Sequence, residues 1–126
     1  MRLTKNFSLH EFACKDGSET PQEIIYNLQK LANQLQVIRD FLGKPIKINS
    51  GYRTPSYNAT LKGSVVGSQH TLGKAADIVV DGYTPKELTN VVEDLILRCD
   101  ILEGGLGTYS TFLHYDIGYN GKKRRW

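Results

Sequence analysis

Two cysteines, one tryptophan, one methionine and four prolines are all that 126 residues contain of these types, and the scarcity already excludes some chemistry. Cys14 and Cys99 lie far apart and form no C-x-x-C unit, which argues against a cysteine-built zinc site or a dithiol redox motif. With no export signal in view, both read as free, partly buried thiols. No apolar run approaches the roughly 20 residues that cross a bilayer, so no membrane insertion is expected. The opening Met1-Arg2-Leu3-Thr4-Lys5-Asn6-Phe7-Ser8 lacks the apolar core of a signal peptide. The expectation is a protein that stays in the cytoplasm of the cell that makes it until another agent releases it. Internal repeats, low-complexity stretches and long linkers are also missing, and the length suits one domain over 1–126. The chain reads as a monomer.

An excess of positive charge is lacking too, except at one end. The net charge is +3, but Lys122, Lys123, Arg124 and Arg125 supply it, in a basic tail over 121–126. Such a run reads first as a solvated end, and otherwise as a contact for nucleic acid or an anionic cell envelope. Elsewhere there is neither a basic stripe nor a recognised binding motif, so no nucleic-acid partner is expected. Hydrophobic residues at 40% and charged residues at 23% describe an ordinary globular protein.

The clearest element is a helix from about Pro21 to Leu42. Thr20 is a good N-cap, Pro21 suits the first turn, and Glu23 completes a capping box. Ile24, Leu28, Leu31, Leu35, Ile38 and Leu42 recur at helical spacing, and Gly43 can close the helix in a left-handed turn. Ser8 and Glu11 repeat the capping-box spacing around a shorter helix, Ser8 to Phe12, in which His10 reads as a surface residue. Pro45 to Asn49 alternates apolar and polar residues, as a half-buried strand does. Gly51 to about Lys74 is rich in turn formers and reads as a long functional loop. Ala75 to Val80 reads as a strand. Thr84-Pro85-Lys86-Glu87 starts a second helix with Leu88, Val91, Val92, Leu95 and Ile96 as its apolar stripe. Ile101 to Tyr119 reads as two strands joined near Tyr109 and Ser110. Helices and strands that interleave only in part, with a late hairpin, predict an α+β domain with a small, mainly antiparallel sheet and helices packed on it.

Two residues disturb these patterns. Asp77 interrupts an apolar strand, and a buried carboxylate needs a cation or strong hydrogen bonds. His70 stands seven residues before it across a glycine-bearing turn. In Thr111-Phe112-Leu113-His114-Tyr115-Asp116-Ile117, alternation puts Phe112, His114 and Asp116 on one face and Leu113, Tyr115 and Ile117 on the other. Two histidines and one carboxylate leave a fourth tetrahedral position open, the pattern of a catalytic zinc. Such an ion lowers the pKa of water to about 7 and polarises a carbonyl, which suits amide hydrolysis. On spacing alone, a satisfied core histidine and a paired strand aspartate explain the same residues.

Ser68-Gln69-His70-Thr71-Leu72-Gly73-Lys74-Ala75-Ala76-Asp77 resembles the Ser-x-His-x-x-Gly-x-Ala-x-Asp signature of the D-Ala-D-Ala carboxypeptidase family of zinc peptidases, the M15 group. That group includes bacterial cell-wall peptidases and phage endolysins. The similarity extends to Asn6-Phe7-Ser8-Leu9-His10-Glu11-Phe12 and to Ile48-Asn49-Ser50-Gly51-Tyr52-Arg53-Thr54-Pro55. Gly105-Leu106-Gly107-Thr108-Tyr109 and Phe112-Leu113-His114-Tyr115-Asp116 carry it to the far end. The resemblance implies a fold like that of the D-Ala-D-Ala peptidases and hedgehog domains, and one zinc ion on His70, Asp77 and His114. It also implies that Arg53 pairs with a substrate carboxylate and that Asn58 and Ser68 line the peptide cleft. The implied substrate is the stem peptide of peptidoglycan, cut by a D,D-carboxypeptidase or by an L,D- or D,D-endopeptidase. A phage or prophage endolysin fits, held in the host cytoplasm until it reaches the wall.

In many relatives an acidic general base stands three residues before the last zinc histidine, where this chain has Thr111. Asp116 is then the first candidate, either as the base or as a group that fixes the metal site, and Glu103 is the second. Zinc-activated water without a base, or lost activity, complete the alternatives. The rival reading is a non-catalytic, zinc-containing wall-binding or virion structural relative.

Overall fold

A computed structural model describes residues 1–118 and 120–126. Helix α1, Gln22–Leu42, forms where the apolar spacing places it, and Ile24, Leu28, Leu31, Ala32, Leu35 and Ile38 are its buried stripe. Gly43 closes it at φ 65°, with its N–H on the Arg39 carbonyl. The start differs from expectation by one residue. Pro21, not Thr20, occupies the cap position, and its carbonyl accepts from the N–H groups of Ile24 and Ile25. No side chain caps this end, so the capping box anticipated at Thr20 and Glu23 does not form. Ahead of α1, the Ser8–Phe12 helix is reduced to one 3₁₀ turn, Leu9–Glu11, in which the Glu11 carboxylate accepts from the Ser8 N–H at 2.7 Å. His10 is exposed.

Strand β1 is Lys47–Ser50. The segment expected to be an irregular loop contains a short helix, α2, Pro55–Thr60, and a 3₁₀ turn, Gln69–Leu72. Thr54 caps α2 by accepting from the Tyr57 N–H, the same Thr-Pro start that was legible at Thr84. Six residues are too few to show an apolar stripe, so periodicity could not reveal this helix. β2, Ala75–Val79, leads to α3, Pro85–Leu97, whose Thr84–Glu87 capping box is complete. β3, Gly105–Thr108, and β4, Leu113–Asp116, form the expected hairpin around Tyr109 and Ser110. Tyr119, the anticipated end of that hairpin, lies outside the described residues.

The basic tail behaves differently from a solvated end. Arg124–Arg125 is strand β5, paired parallel to β3. The Arg125 guanidinium reaches both carboxylate oxygens of Glu93 at 2.8 and 2.9 Å and Glu103 at 2.7 Å. Two acidic partners hold it down, while Lys122 and Lys123 stay exposed. The sheet runs β1-β2-β4-β3-β5, antiparallel except at β3–β5. The chain is therefore α+β with a mostly antiparallel sheet.

One sheet face sends Ala76, Ile78, Leu106, Leu113 and Tyr115 into a core shared with the stripes of α1 and α3. Burying these side chains supplies the main favourable term of folding, roughly 1.5–3 kcal/mol per large aliphatic residue. The opposite face carries Asp77, His114 and Asp116. Cys14 is buried and Cys99 exposed, both as free thiols, so only the first is sheltered as expected. Among the described residues no helix is long and apolar enough to cross a membrane.

Leu35 is fully buried at the centre of the α1 stripe. Leu35→Ala is expected to cost about 2–5 kcal/mol of unfolding free energy. Denaturant titration followed by circular dichroism measures it, and a loss below about 1 kcal/mol would mean that α1 does not anchor the core.

Candidate metal centre

The register of the sheet brings the site together. Asp77 on β2 stands directly opposite His114 on β4, and His114 opposite Gly107 on β3. His70 arrives from the 3₁₀ turn before β2. Ser68 caps that turn by accepting the His70 N–H at 3.2 Å, and Gly73 ends it in the left-handed region at φ 71°. The peptide signature is thus a device for reversing the chain, so that His70 faces a carboxylate seven residues on.

His70 Nε2 lies 3.2 Å and His114 Nδ1 3.1 Å from the same oxygen, Asp77 Oδ1. One donor atom from each residue falls within 4.8 Å of the others, and all three residues are buried. The outer ring nitrogens fix the protons. His70 Nδ1 is 2.7 Å from the Gly51 carbonyl, which can only accept, so this nitrogen carries hydrogen. His114 Nε2 is 2.7 Å from Asp116 Oδ2 and donates to that carboxylate. Neutral imidazoles therefore turn two lone pairs toward an oxygen that is itself an acceptor. Such a triangle needs a positive charge at its centre, either added protons or a metal cation. A donor set of two imidazoles and one carboxylate fits zinc, whose bonds of about 2.0–2.2 Å in a tetrahedral arrangement suit donors set this close.

The titration behaviour reflects the same triangle. Burial opposes ionisation of Asp77, but the hydrogen bonds that His114 and His70 donate to it once they carry the added protons outweigh burial and hold the carboxylate well below its usual range. Burial opposes protonation of His114, but Asp116 and Asp77 outweigh that and raise its pKa. Asp116, also buried, is lowered by His114, Arg124 and the Gly105 N–H.

Around the triangle lies a cleft of about 520 Å³, lined by Arg53, Ser68 and the three candidate ligands, with Tyr109, Phe112, Arg124 and Trp126 along one side. Arg53 is held by three acceptors: Ser50 Oγ at 3.0 Å, Asn58 Oδ1 at 3.2 Å and Asp77 Oδ2 at 3.4 Å. Asn58 is buried behind it, with its amide nitrogen on the Val65 carbonyl, and does not line the cleft. Both Asp116 oxygens are occupied, Oδ2 by His114 and Oδ1 by the Gly105 N–H and the Arg124 guanidinium. Glu103 lies away from the cleft in its pair with Arg125. Thr111 is exposed in the β3–β4 turn.

Sequence reasoning missed Arg124, Trp126 and Tyr109. The Trp126 ring sits 5.0 Å from the His114 ring, and its indole N–H donates to the Tyr109 hydroxyl at 2.7 Å. A signal was present in Gly105-Leu106-Gly107. A Cβ at Gly105 would collide with the Asp116 carboxylate and the Arg124 guanidinium, and one at Gly107 with the Trp126 indole. Alternate glycines on the cleft face of a strand mark space that other side chains fill.

A family model described as Peptidase M15 matches residues 4–116 of the chain. No curated protein matches it.

A histidine whose pKa rises on folding contributes stability that is complete below its ordinary value of 6.5 and is lost as pH rises through the folded value. The metal-free protein should therefore melt at lower temperature as pH climbs above 6.5, and excess zinc should remove that loss by taking the proton's place. Thermal melts across pH with chelator and with zinc test this. Parallel profiles in the two conditions would dissociate His114 from the metal.

Proposed function

The chain belongs to the peptidase M15 family, a family of zinc-dependent peptidases, and from that premise we propose that it is a zinc peptidase acting on the stem peptides of peptidoglycan. The observation that supports this reading most is the convergence of His70 Nε2, Asp77 Oδ1 and His114 Nδ1 at the floor of an open cleft. These three atoms would hold the ion. Bound there, zinc supplies the Lewis acidity that activates water and polarises the amide carbonyl under attack.

The chain's own groups do the rest. Arg53 reaches the cleft with its planar guanidinium braced from Ser50, Asn58 and Asp77. A braced fork suits recognition of a substrate carboxylate, as at the end of a peptide or on an acidic stem residue. In this reading Asn58 orients Arg53 rather than touching the peptide, and Ser68, which lines the cleft, contacts it. Asp116 holds His114 in the tautomer that leaves the Nδ1 lone pair free for the ion, a role its engaged oxygens suit better than proton abstraction. Glu103 takes no part. The scissile bond is a D,D-carboxypeptidase or L,D- or D,D-endopeptidase bond, and the cell wall is the place of action, as for the phage endolysins that the signature resembles.

A second reading rests on one specific observation. Among the described residues lining the cleft, the only carboxylates are Asp77 and Asp116, and both are engaged. A relative that binds zinc and wall peptide without cutting would show the same arrangement.

Purified peptidoglycan sacculi, with mass analysis of released fragments, distinguish the two. The enzyme reading expects peptide products that vanish with chelator, return with zinc and are absent for His114→Ala. Wall binding with no product from the zinc-loaded protein selects the second reading. Arg53→Ala should lower kcat/KM about ten- to a hundredfold, mostly through KM, the measure of a lost charge-assisted hydrogen bond. An unchanged KM would remove Arg53 from the substrate site.

A further inference from the structure

Residue 116 is the last that the family match covers, yet the cleft is completed by residues beyond it. Arg124 is placed by the β5–β3 pairing, Gly105 opposite Arg124, with the Arg124 N–H on the Gly104 carbonyl at 3.0 Å and the Trp126 N–H on the Leu106 carbonyl at 3.0 Å. Its guanidinium meets Asp116 Oδ1, while Asp116 Oδ2 receives the His114 Nε2–H. The Asp116 side chain is only 1% exposed. A buried carboxylate without a cationic partner is costly, and the Arg124 guanidinium is that partner. Gly105 adds an N–H to the same oxygen and, having no side chain, leaves room for the guanidinium. Trp126 then lies against the His114 ring on its cleft side.

We propose that Arg124 is a positioning residue of the metal centre, acting through Asp116 and His114, so that the basic tail is a working part of the site. The inference rests on the reading of His70, Asp77 and His114 as metal ligands. Partners of this outer kind are worth about 10–100-fold in metal affinity. Arg124 holds the Asp116 carboxylate in place, Asp116 accepts the His114 Nε2–H and fixes the ring, and Nδ1 is left aimed at the metal.

The test is metal affinity and ligand field in the full chain. Zinc dissociation constants come from chelator competition, and the visible spectrum of the cobalt(II)-loaded protein reports the geometry around the ion. Arg124→Met should weaken zinc binding at least tenfold and shift the cobalt bands. Arg124→Lys, which keeps the charge but not the fork, should recover part of both. Lys123→Met, an exposed neighbour, should change neither. Melting of the metal-free variants separates loss of fold from loss of site, and if Arg124→Met does not fold, Arg124→Lys still carries the comparison. Unaltered affinity and spectrum in a folded Arg124 variant would overturn the inference. A wild-type chain that binds no zinc would instead overturn the metal-site reading beneath it.

Discussion

Asp77 Oδ1 faces His114 Nδ1 at 3.1 Å and His70 Nε2 at 3.2 Å, and three electron-rich atoms that close need a positive charge among them. The outer nitrogens cannot relieve the conflict by changing tautomer. Gly51 offers only a carbonyl and Asp116 a carboxylate, so each imidazole must keep its hydrogen on the far side. The cleft face therefore calls for positive charge at this point, and the three donor atoms could hold a metal ion there. Low pKa for Asp77 and high pKa for His114 are two signs of the same demand.

Satisfying that demand imposes a division on the sheet. Ala76, Ile78, Leu113 and Tyr115 turn to the core, and their alternate neighbours Asp77, His114 and Asp116 turn to the cleft. A register slip of one residue would bury Asp77, His114 and Asp116 in hydrocarbon and expose the core. The apolar contacts on one face thus set the position of the polar atoms on the other, and packing energy is what holds a pre-formed site in place. The same rigidity serves Arg53, which is fixed by side chains from β1 and β2 and from the helix after it rather than left to swing in a loop.

Much of this was legible in residue order because the signals are local and periodic. The stripes of α1 and α3, the capping box at Thr84 and the alternation from Phe112 to Ile117 each follow from side-chain direction alone. Asp77 stood out because a carboxylate inside an apolar strand requires an explanation. What escaped notice depended on pairings distant in sequence. α2 is too short for a stripe, and the start of α1 shifted because Pro21 itself can hold the extended cap conformation. The tail was read by composition, and composition cannot say that Glu93 and Glu103 wait to receive Arg125.

The two roles considered for Asp116 compete on this geometry. A proton taken by Asp116 would weaken its hold on both the His114 Nε2–H and the Arg124 guanidinium, because both contacts draw on the carboxylate's negative charge. The turn between β3 and β4 carries the exposed Thr111 and offers no carboxylate of its own. Tyr109 lines the cleft from that same turn, its hydroxyl oxygen accepting the Trp126 indole N–H so that its own hydrogen points elsewhere. The Tyr109 hydrogen is thus left for another acceptor at the mouth of the cleft, so the contact that anchors Trp126 also sets the direction in which this phenol can donate.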